Sequence, residues 1–418
     1  MSPPAPTRPG LAAVRGTGGG IAAQGMAAAA SLLLQVVAAR SLGAAGYGRF
    51  TILIAGLLLL TGLHGGLVGD TRTVLDRSDP AIRDALATCQ LAFVVAATAI
   101  AAIGAWAFDL TSGRGAVLFG ALTAAWLFED AGRRLFMARL EFWRLVLNDT
   151  VYLAVTAAAL VLLRLQAGEV TLEILLASMT IGAVASVIDA AWAIPNDELR
   201  FGRATGEGLR SMARFAVWRS AHAGIRPLAT LLLRTIVSAV ASAAALGRLE
   251  AARLAAAPVM ILINGWSSVL LPRFSLQHRD SPEASDPIAV TTYLLVAACV
   301  GYGAIVTAGA DILMPLLTGG DLEVDRWAVA GWSLFAVAFA AGIPAGTSLL
   351  ARQQSRIVFR LRVLDSAVGL AVAAVLVAWL GPSSAPYGLA VGATLGAALM
   401  WSVATAPPGA AQRKASAP

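Results

Sequence analysis

Four residues that carry or can acquire positive charge, Arg219, His222, Arg226 and Arg234, punctuate a stretch from Arg214 to Ser242 that is otherwise apolar enough to cross a bilayer. At about 1.5 Å of rise per residue, Arg226 falls near the middle of a span starting around Phe215, too deep for its stem to carry the guanidinium to water. A cation at that depth is costly unless a wet cavity or a counter-ion receives it, so ionisable groups inside membranes mark pathways and binding sites. Arg219 lies two turns earlier on the same face, His222 nearly so, and Pro227 weakens the backbone ladder where a moving helix would bend. Guanidinium groups bind phosphate oxygens as a two-pronged fork and stay charged at every physiological pH. We read Arg226, Arg219, His222 and Arg234 as the wall of a cationic cavity. The plainer reading has Arg219 and Arg234 snorkelling to opposite surfaces, which leaves Arg226 in need of a partner.

Carboxylates in apolar surroundings offer a second chemistry, the uptake of a proton or a sodium ion. Glu129 and Asp130 sit late in the fourth apolar stretch, Asp70 ends the second, Asp189 is in the sixth and Asp365 in the eleventh. Glu129, the deeper of its pair, is the first candidate for ion coupling, followed by Asp130 and Asp70. The competing reading pairs each with a nearby arginine at the membrane surface. No G-x-x-x-x-G-K-[ST] loop occurs, so ATP hydrolysis is not expected of this chain. Cys89 and Cys299 give no zinc spacing and no disulfide framework. Neither a cofactor nor a metal centre is expected, and the residues suggest movement of a solute rather than an enzymatic reaction.

The elements that position these groups follow from composition. Of 418 residues, 58% are hydrophobic and 13% charged, against roughly 25% charged in a soluble domain. Windows of about 20 apolar residues, the length that crosses the hydrocarbon core, recur along the chain, with twelve spans predicted near 21–41, 48–69, 85–108, 115–135, 145–166, 172–194, 215–238, 246–271, 288–310, 326–350, 358–380 and 386–406. The net charge of +7 comes almost wholly from arginine in short loops, with Lys414 the single lysine, which reads as the positive-inside pattern and not as a nucleic-acid surface. Arg133, Arg134, Arg139 and Arg144 form part of that inner rim. Both termini are expected in the cytoplasm, with the chain in the cytoplasmic membrane. The polar stretch Asn196 to Glu207 separates six spans from six. The organisation predicted is a disordered cytoplasmic tail over 1–20, a six-helix lobe over 21–195, a cytoplasmic linker over 196–214, a second lobe over 215–406 and a cytoplasmic tail over 407–418. Ala45-Gly46-Tyr47-Gly48-Arg49-Phe50 after the first span is echoed by Ala244-Ala245-Leu246-Gly247-Arg248-Leu249 after the seventh, as two repeats would produce.

These residues also carry a resemblance. Ala39-Arg40-Ser41-Leu42-Gly43 through Gly46-Tyr47-Gly48 resembles the first external turn of the polysaccharide flippase branch of the multidrug/oligosaccharidyl-lipid/polysaccharide exporter superfamily. Met137-Ala138-Arg139-Leu140-Glu141-Phe142 resembles its arginine-rich inner loop. Gly247-Arg248-Leu249-Glu250-Ala251-Ala252 with Pro258 and Leu271-Pro272-Arg273 is similar to its eighth span, and Leu313-Met314-Pro315-Leu316-Leu317-Thr318-Gly319 to its ninth-to-tenth connection. The resemblance implies an all-α polytopic membrane protein of about 12 helices in two six-helix lobes around a central cavity. It further implies export of a polyprenyl-pyrophosphate-linked oligosaccharide by alternating access, in the company of membrane lipids and of a polysaccharide polymerase or glycosyltransferases, with no nucleic acid. Such proteins often carry an Asp-Arg pair late in the seventh span. Here Leu233 precedes Arg234, which leaves that arginine without the expected local counter-ion. A peptidoglycan lipid-precursor flippase, a cation-coupled multidrug exporter and a non-transporting scaffold for glycan assembly are the alternatives.

Overall fold

A computed structural model describes residues 10–74, 79–195, 204–280 and 287–405. Within them lie twelve helices of 20 residues or more: α1 (Gly10–Ser41), α2 (Gly43–His64), α3 (Pro80–Ala107), α4 (Gly113–Ala138), α5 (Phe142–Ala167), α6 (Leu172–Ala193), α7 (Gly206–Val240), α8 (Ala243–Asp280), α9 (Ile288–Ala308), α10 (Arg326–Ala351), α11 (Ser355–Leu380) and α12 (Ala385–Ala404). Each coincides with one predicted span. Eleven are long and apolar enough to cross a membrane; α4 falls short of that composition because it carries Glu129, Asp130, Arg133 and Arg134. The first helix starts at Gly10, ahead of the expected 21, while the first nine residues, much of the predicted linker and the tail over 407–418 lie outside the described residues.

Local sequence sets the helix ends. Asp79, Ser112, Thr171 and Asp325 accept hydrogen bonds from the first-turn amides of α3, α4, α6 and α10, at 2.8, 3.0, 3.3 and 2.9 Å. Gly168 and Gly381 follow α5 and α11 at positive φ, the conformation a glycine adopts without strain. Large apolar side chains face outward along the helices, among them Trp106, Trp143, Trp192 and Trp327. Such a surface suits lipid, with tryptophan at the headgroup level.

Cα packing divides the chain into two compact units, Met1–Leu34 with Leu57–Gly224, and Gln35–Gly56 with Ile225–Pro418. Helices α1, α2 and α7 thus each contribute to both. In the first unit, α4 and α5 pack on α6, and Ala23, Leu135, Phe136, Leu145 and Ala190 form a buried cluster. In the second, α10 packs on α8, α9 and α12, around Val259, Ile263, Phe274, Leu295 and Phe339. There α11 and α12 approach closely because Gly388, Gly392 and Gly396 recur every fourth residue; a Cβ on Gly392 would lie 2.3 Å from the Asp365 carbonyl oxygen. The two echoed segments meet in this unit and contact each other reciprocally. A Cβ on Gly48 would lie 1.9 Å from the Ala243 carbonyl oxygen, and one on Gly247 the same distance from that of Ala44.

Candidate functional site

Arg226 lies ten residues into the apolar run Ala216–Val240 of α7, roughly 15 Å along it. It is exposed, and its guanidinium carbon sits 3.7 Å above the centroid of the Phe339 ring. Phe339, buried at the middle of α10, also lies beneath Arg362 of α11, at 5.5 Å. Arg362 Nη1 donates to Asp365 Oδ2 at 3.2 Å, one turn along the same helix, and Ser366 Oγ donates to Asp365 Oδ1 at 3.1 Å. Gly396 makes the room that Asp365 occupies, since a Cβ there would meet its carboxylate at 2.5 Å. Three helices of the second unit thus bring together two guanidinium groups and one carboxylate around an aromatic ring. Among the described residues no carboxylate lies within ion-pair distance of Arg226. Its charge is steadied by the ring, a contact worth about 0.5 to 1 kcal/mol at an exposed site. The cluster keeps one net positive charge, as an anion site requires.

The other predicted cations are engaged elsewhere. Arg219 Nε donates to Asp70 Oδ2 at 2.5 Å, and Asp70 also faces Arg134 at 3.5 Å. Arg134 Nε in turn donates to Asp130 Oδ2 at 2.7 Å, and the His64 ring nitrogen Nδ1 lies 3.3 Å from the same oxygen. This chain of charges fits because α2 ends in a π-helical segment, Gly65–Gly69, where any Cβ at Gly65 or Gly69 would strike the Arg134 side chain. Ser220 Oγ donates to the Leu63 carbonyl oxygen, fastening α7 to the end of α2. His222 is half-buried on the same helix.

Arg234 corrects an expectation. It does have a counter-ion, Glu250 of α8, which it grips in a fork at 2.9 and 2.8 Å while Nη1 donates to the Thr51 carbonyl oxygen at 2.6 Å. Arg234 and Glu250 are 3% and 1% exposed. Arg253 adds a third contact to Glu250 at 2.6 Å and donates to Gln35 at 2.7 Å. Each Arg234 guanidinium nitrogen is therefore already hydrogen-bonded within the protein, where the residue ties α7 to α8 and to α2.

The carboxylates expected to couple ions also separate. Asp70 and Asp130 belong to the chain of alternating charge just described. Glu129 faces Arg133 on its own helix at 3.7 Å, and Arg133 Nη1 also donates to Asp149 of α5. Asp189 accepts from Arg144 at 2.8 Å and from Asn148 at 3.1 Å. Arg139 is paired with Glu141 at 2.8 Å. The predicted basic rim of Arg133, Arg134, Arg139 and Arg144 is thus neutralised residue by residue.

No family model and no curated protein matches this chain. Solved structures do. An inward-facing multidrug resistance MATE family transporter of the MOP superfamily superposes with a TM-score of 0.69 at 13% identity, over 95% of this chain and 96% of that one. The lipid II flippase MurJ, in an inward closed conformation, gives 0.70 at 11% identity, over 92% and 87%. A MATE in complex with MaL6 gives 0.65 at 13% identity, over 94% of each chain. The chain therefore has the all-α polytopic fold of MOP superfamily transporters, with about 12 helices.

Four residues of these clusters were not singled out from the sequence. Phe339 is one aromatic among many in an apolar helix. Arg362 reads as one more basic residue of an inner loop, although it lies within the predicted eleventh span. His64 and Asp149 sit near the ends of apolar runs and acquire meaning only from the partners that packing supplies.

Proposed function

We propose that this protein translocates a polyprenyl-pyrophosphate-linked oligosaccharide across the cytoplasmic membrane for assembly of a cell-surface polysaccharide. The observation that carries the reading is Arg226, a guanidinium in mid-span, exposed and held on Phe339 beside Arg362. A pyrophosphate presents oxygens to both guanidinium groups, and each charge-assisted contact is worth about 1.5 to 3 kcal/mol. A cationic drug would be repelled by the same pair, which argues against a multidrug exporter despite the likeness to MATE structures. Moving two negative charges outward across a membrane with an inside-negative potential of roughly 100 mV releases about 4 to 5 kcal/mol, so the potential itself favours export. In this reading both termini are cytoplasmic, and a polymerase or glycosyltransferases receive or supply the glycan.

A flippase for a peptidoglycan lipid precursor is the second reading, favoured by the likeness to the lipid II flippase MurJ. The head-group chemistry is shared and the sugar differs. The test is transfer of fluorescently labelled lipids in liposomes containing the purified protein, with a polyprenyl-pyrophosphate oligosaccharide and a peptidoglycan lipid precursor run side by side. The proposal expects transfer of the first lipid, a loss of about tenfold to a hundredfold in Arg226→Ala and Arg362→Ala, and acceleration by an inside-negative potential. Transfer of the peptidoglycan precursor alone would move the assignment to the second reading. Transfer of neither, with glycosyltransferases retained on the protein, would make it a scaffold.

A further inference from the structure

Three helices of the second unit, α8, α10 and α12, begin around one cavity of about 520 Å³. Arg248 of α8 lines one side, Glu323 and Asp325 just before α10 a second, and Ser383 just before α12 the third. The connections that meet here join α7 to α8, α9 to α10 and α11 to α12, and they face outward where both termini are cytoplasmic. The walls are held from behind. Ser242 Oγ accepts from the Ala245 amide at 3.0 Å at the start of α8, and Trp332 Nε1 of α10 donates to the Leu249 carbonyl oxygen at 3.0 Å. The Tyr387 hydroxyl of α12 donates to the Trp327 carbonyl oxygen at 3.0 Å, and a Cβ on Gly331 would lie 2.8 Å from the Tyr387 ring. The cavity is preformed, which spares a ligand the cost of ordering it.

The polar groups that reach this cavity are unmatched. Among the described residues Arg248, Glu323 and Ser383 have no hydrogen-bond or ion-pair partner, while Asp325 spends one carboxylate oxygen on the Trp327 amide at 2.9 Å. Arg248 and Glu323 carry opposite charge on different walls and do not come within ion-pair distance. A phosphate entering here would meet Arg248 but also two carboxylates, and a simple cation would meet the carboxylates but also Arg248. A neutral ligand with many hydroxyl groups satisfies both signs, because its oxygens accept from the guanidinium while its O–H groups donate to the carboxylate. Between the polar groups, Leu249, Val324 and Pro382 supply apolar wall that suits the C–H face of a sugar ring. The volume falls in the range of small-ligand sites, roughly 300 to 1,000 Å³.

We propose that this cavity binds a short, uncharged saccharide, with Arg248 donating to its ring and hydroxyl oxygens, Glu323 accepting from its hydroxyls and Ser383 doing either. The end of α7 at Val240 lies fourteen residues past Arg226, roughly 20 Å along the helix, so the cavity is separate from the cluster of Arg226, Phe339 and Arg362. The saccharide is either the sugar part of the exported lipid, which rests on the translocation proposed above, or a glycan already outside the membrane. No covalent bond changes in either case.

The test is saturation-transfer NMR on the purified full-length protein in lipid nanodiscs. The probes are free tetrasaccharides of glucose, galactose, mannose and N-acetylglucosamine, with the zwitterion glycine betaine beside them. The proposal expects transfer onto the ring protons of at least one saccharide, weakened about tenfold or more in Arg248→Ala and in Glu323→Gln. It expects the same loss in Ser383→Trp, which fills the cavity without altering its charge, and wild-type transfer in Arg326→Ala, whose side chain pairs with Asp311 at 3.1 Å and does not line the cavity. Unfolding midpoints, expected near wild type in all four variants, keep loss of fold apart from loss of sugar. Transfer to no saccharide, transfer to glycine betaine alone, or saccharide binding that survives all three cavity substitutions overturns the proposal. Transfer of the lipid-linked oligosaccharide in liposomes then separates the two sources: slowing in Arg248→Ala marks the sugar as cargo, and an unchanged rate marks it as an outside glycan. A wild type that binds saccharide but moves no lipid contradicts the translocation reading and leaves this site standing.

Discussion

A guanidinium inside a membrane protein does one of two things, and the arginines of α7 divide accordingly. Arg234 is wholly consumed by Glu250 and the Thr51 carbonyl oxygen, so its role is to hold α7 against α8. Removing one partner of such a buried pair leaves an uncompensated charge and costs about 3 to 5 kcal/mol. Glu250→Ala is therefore expected to lower the unfolding midpoint sharply, while the joint replacement of Arg234 by Met and Glu250 by Leu recovers much of the loss; equal destabilisation by both would show that the pair is not the element responsible. Arg226 is the opposite case, exposed and steadied by a ring. The sequence made the depth of Arg226 legible because a mid-span cation can be counted from the edge of an apolar run. It could not separate Arg219 and Arg234 from Arg226, because Asp70 and Glu250 lie far along the chain and meet them only through packing. The Leu233 that replaces a local acid misled for the same reason.

At the scale of helices, the existence and order of the twelve spans were legible, although the first helix starts at Gly10 and not at 21. Apolar length alone reveals them, while the capping by Asp79, Ser112, Thr171 and Asp325 that fixes four of the starts came from the structure. Charged α4 was legible as a helix too, although its acidic and basic residues hid which neighbours it would face. How closely helices approach was not legible without structure, since a glycine in an apolar run has many explanations. The contact of α11 with α12 rests on such glycines, and it shapes the site by enclosing Asp365. Gly392→Leu is expected to force the two helices apart at the Asp365 carbonyl, with a loss of stability of about 1 to 3 kcal/mol and weaker retention of anionic lipid at Arg362. Unfolding and lipid-binding measurements on that variant check both effects; a wild-type result in both would show that the contact is not needed.

For the whole molecule, the fold is that of MOP superfamily transporters, and the account of function turns on the sign of charge at the middle of the second unit. The sequence pointed to that sign through Arg226, while Phe339 and Arg362, which complete the cluster, emerged only when α10 and α11 were placed beside α7. The most direct test is binding of a short-chain polyprenyl pyrophosphate to the purified protein in detergent, compared with the corresponding uncharged polyprenol. The account predicts a clear preference for the pyrophosphate, weakened about tenfold or more in Arg226→Gln and again in Arg362→Gln, with the unfolding midpoint near wild type in both. Equal binding of pyrophosphate and alcohol, or pyrophosphate affinity unchanged in both variants, would contradict it.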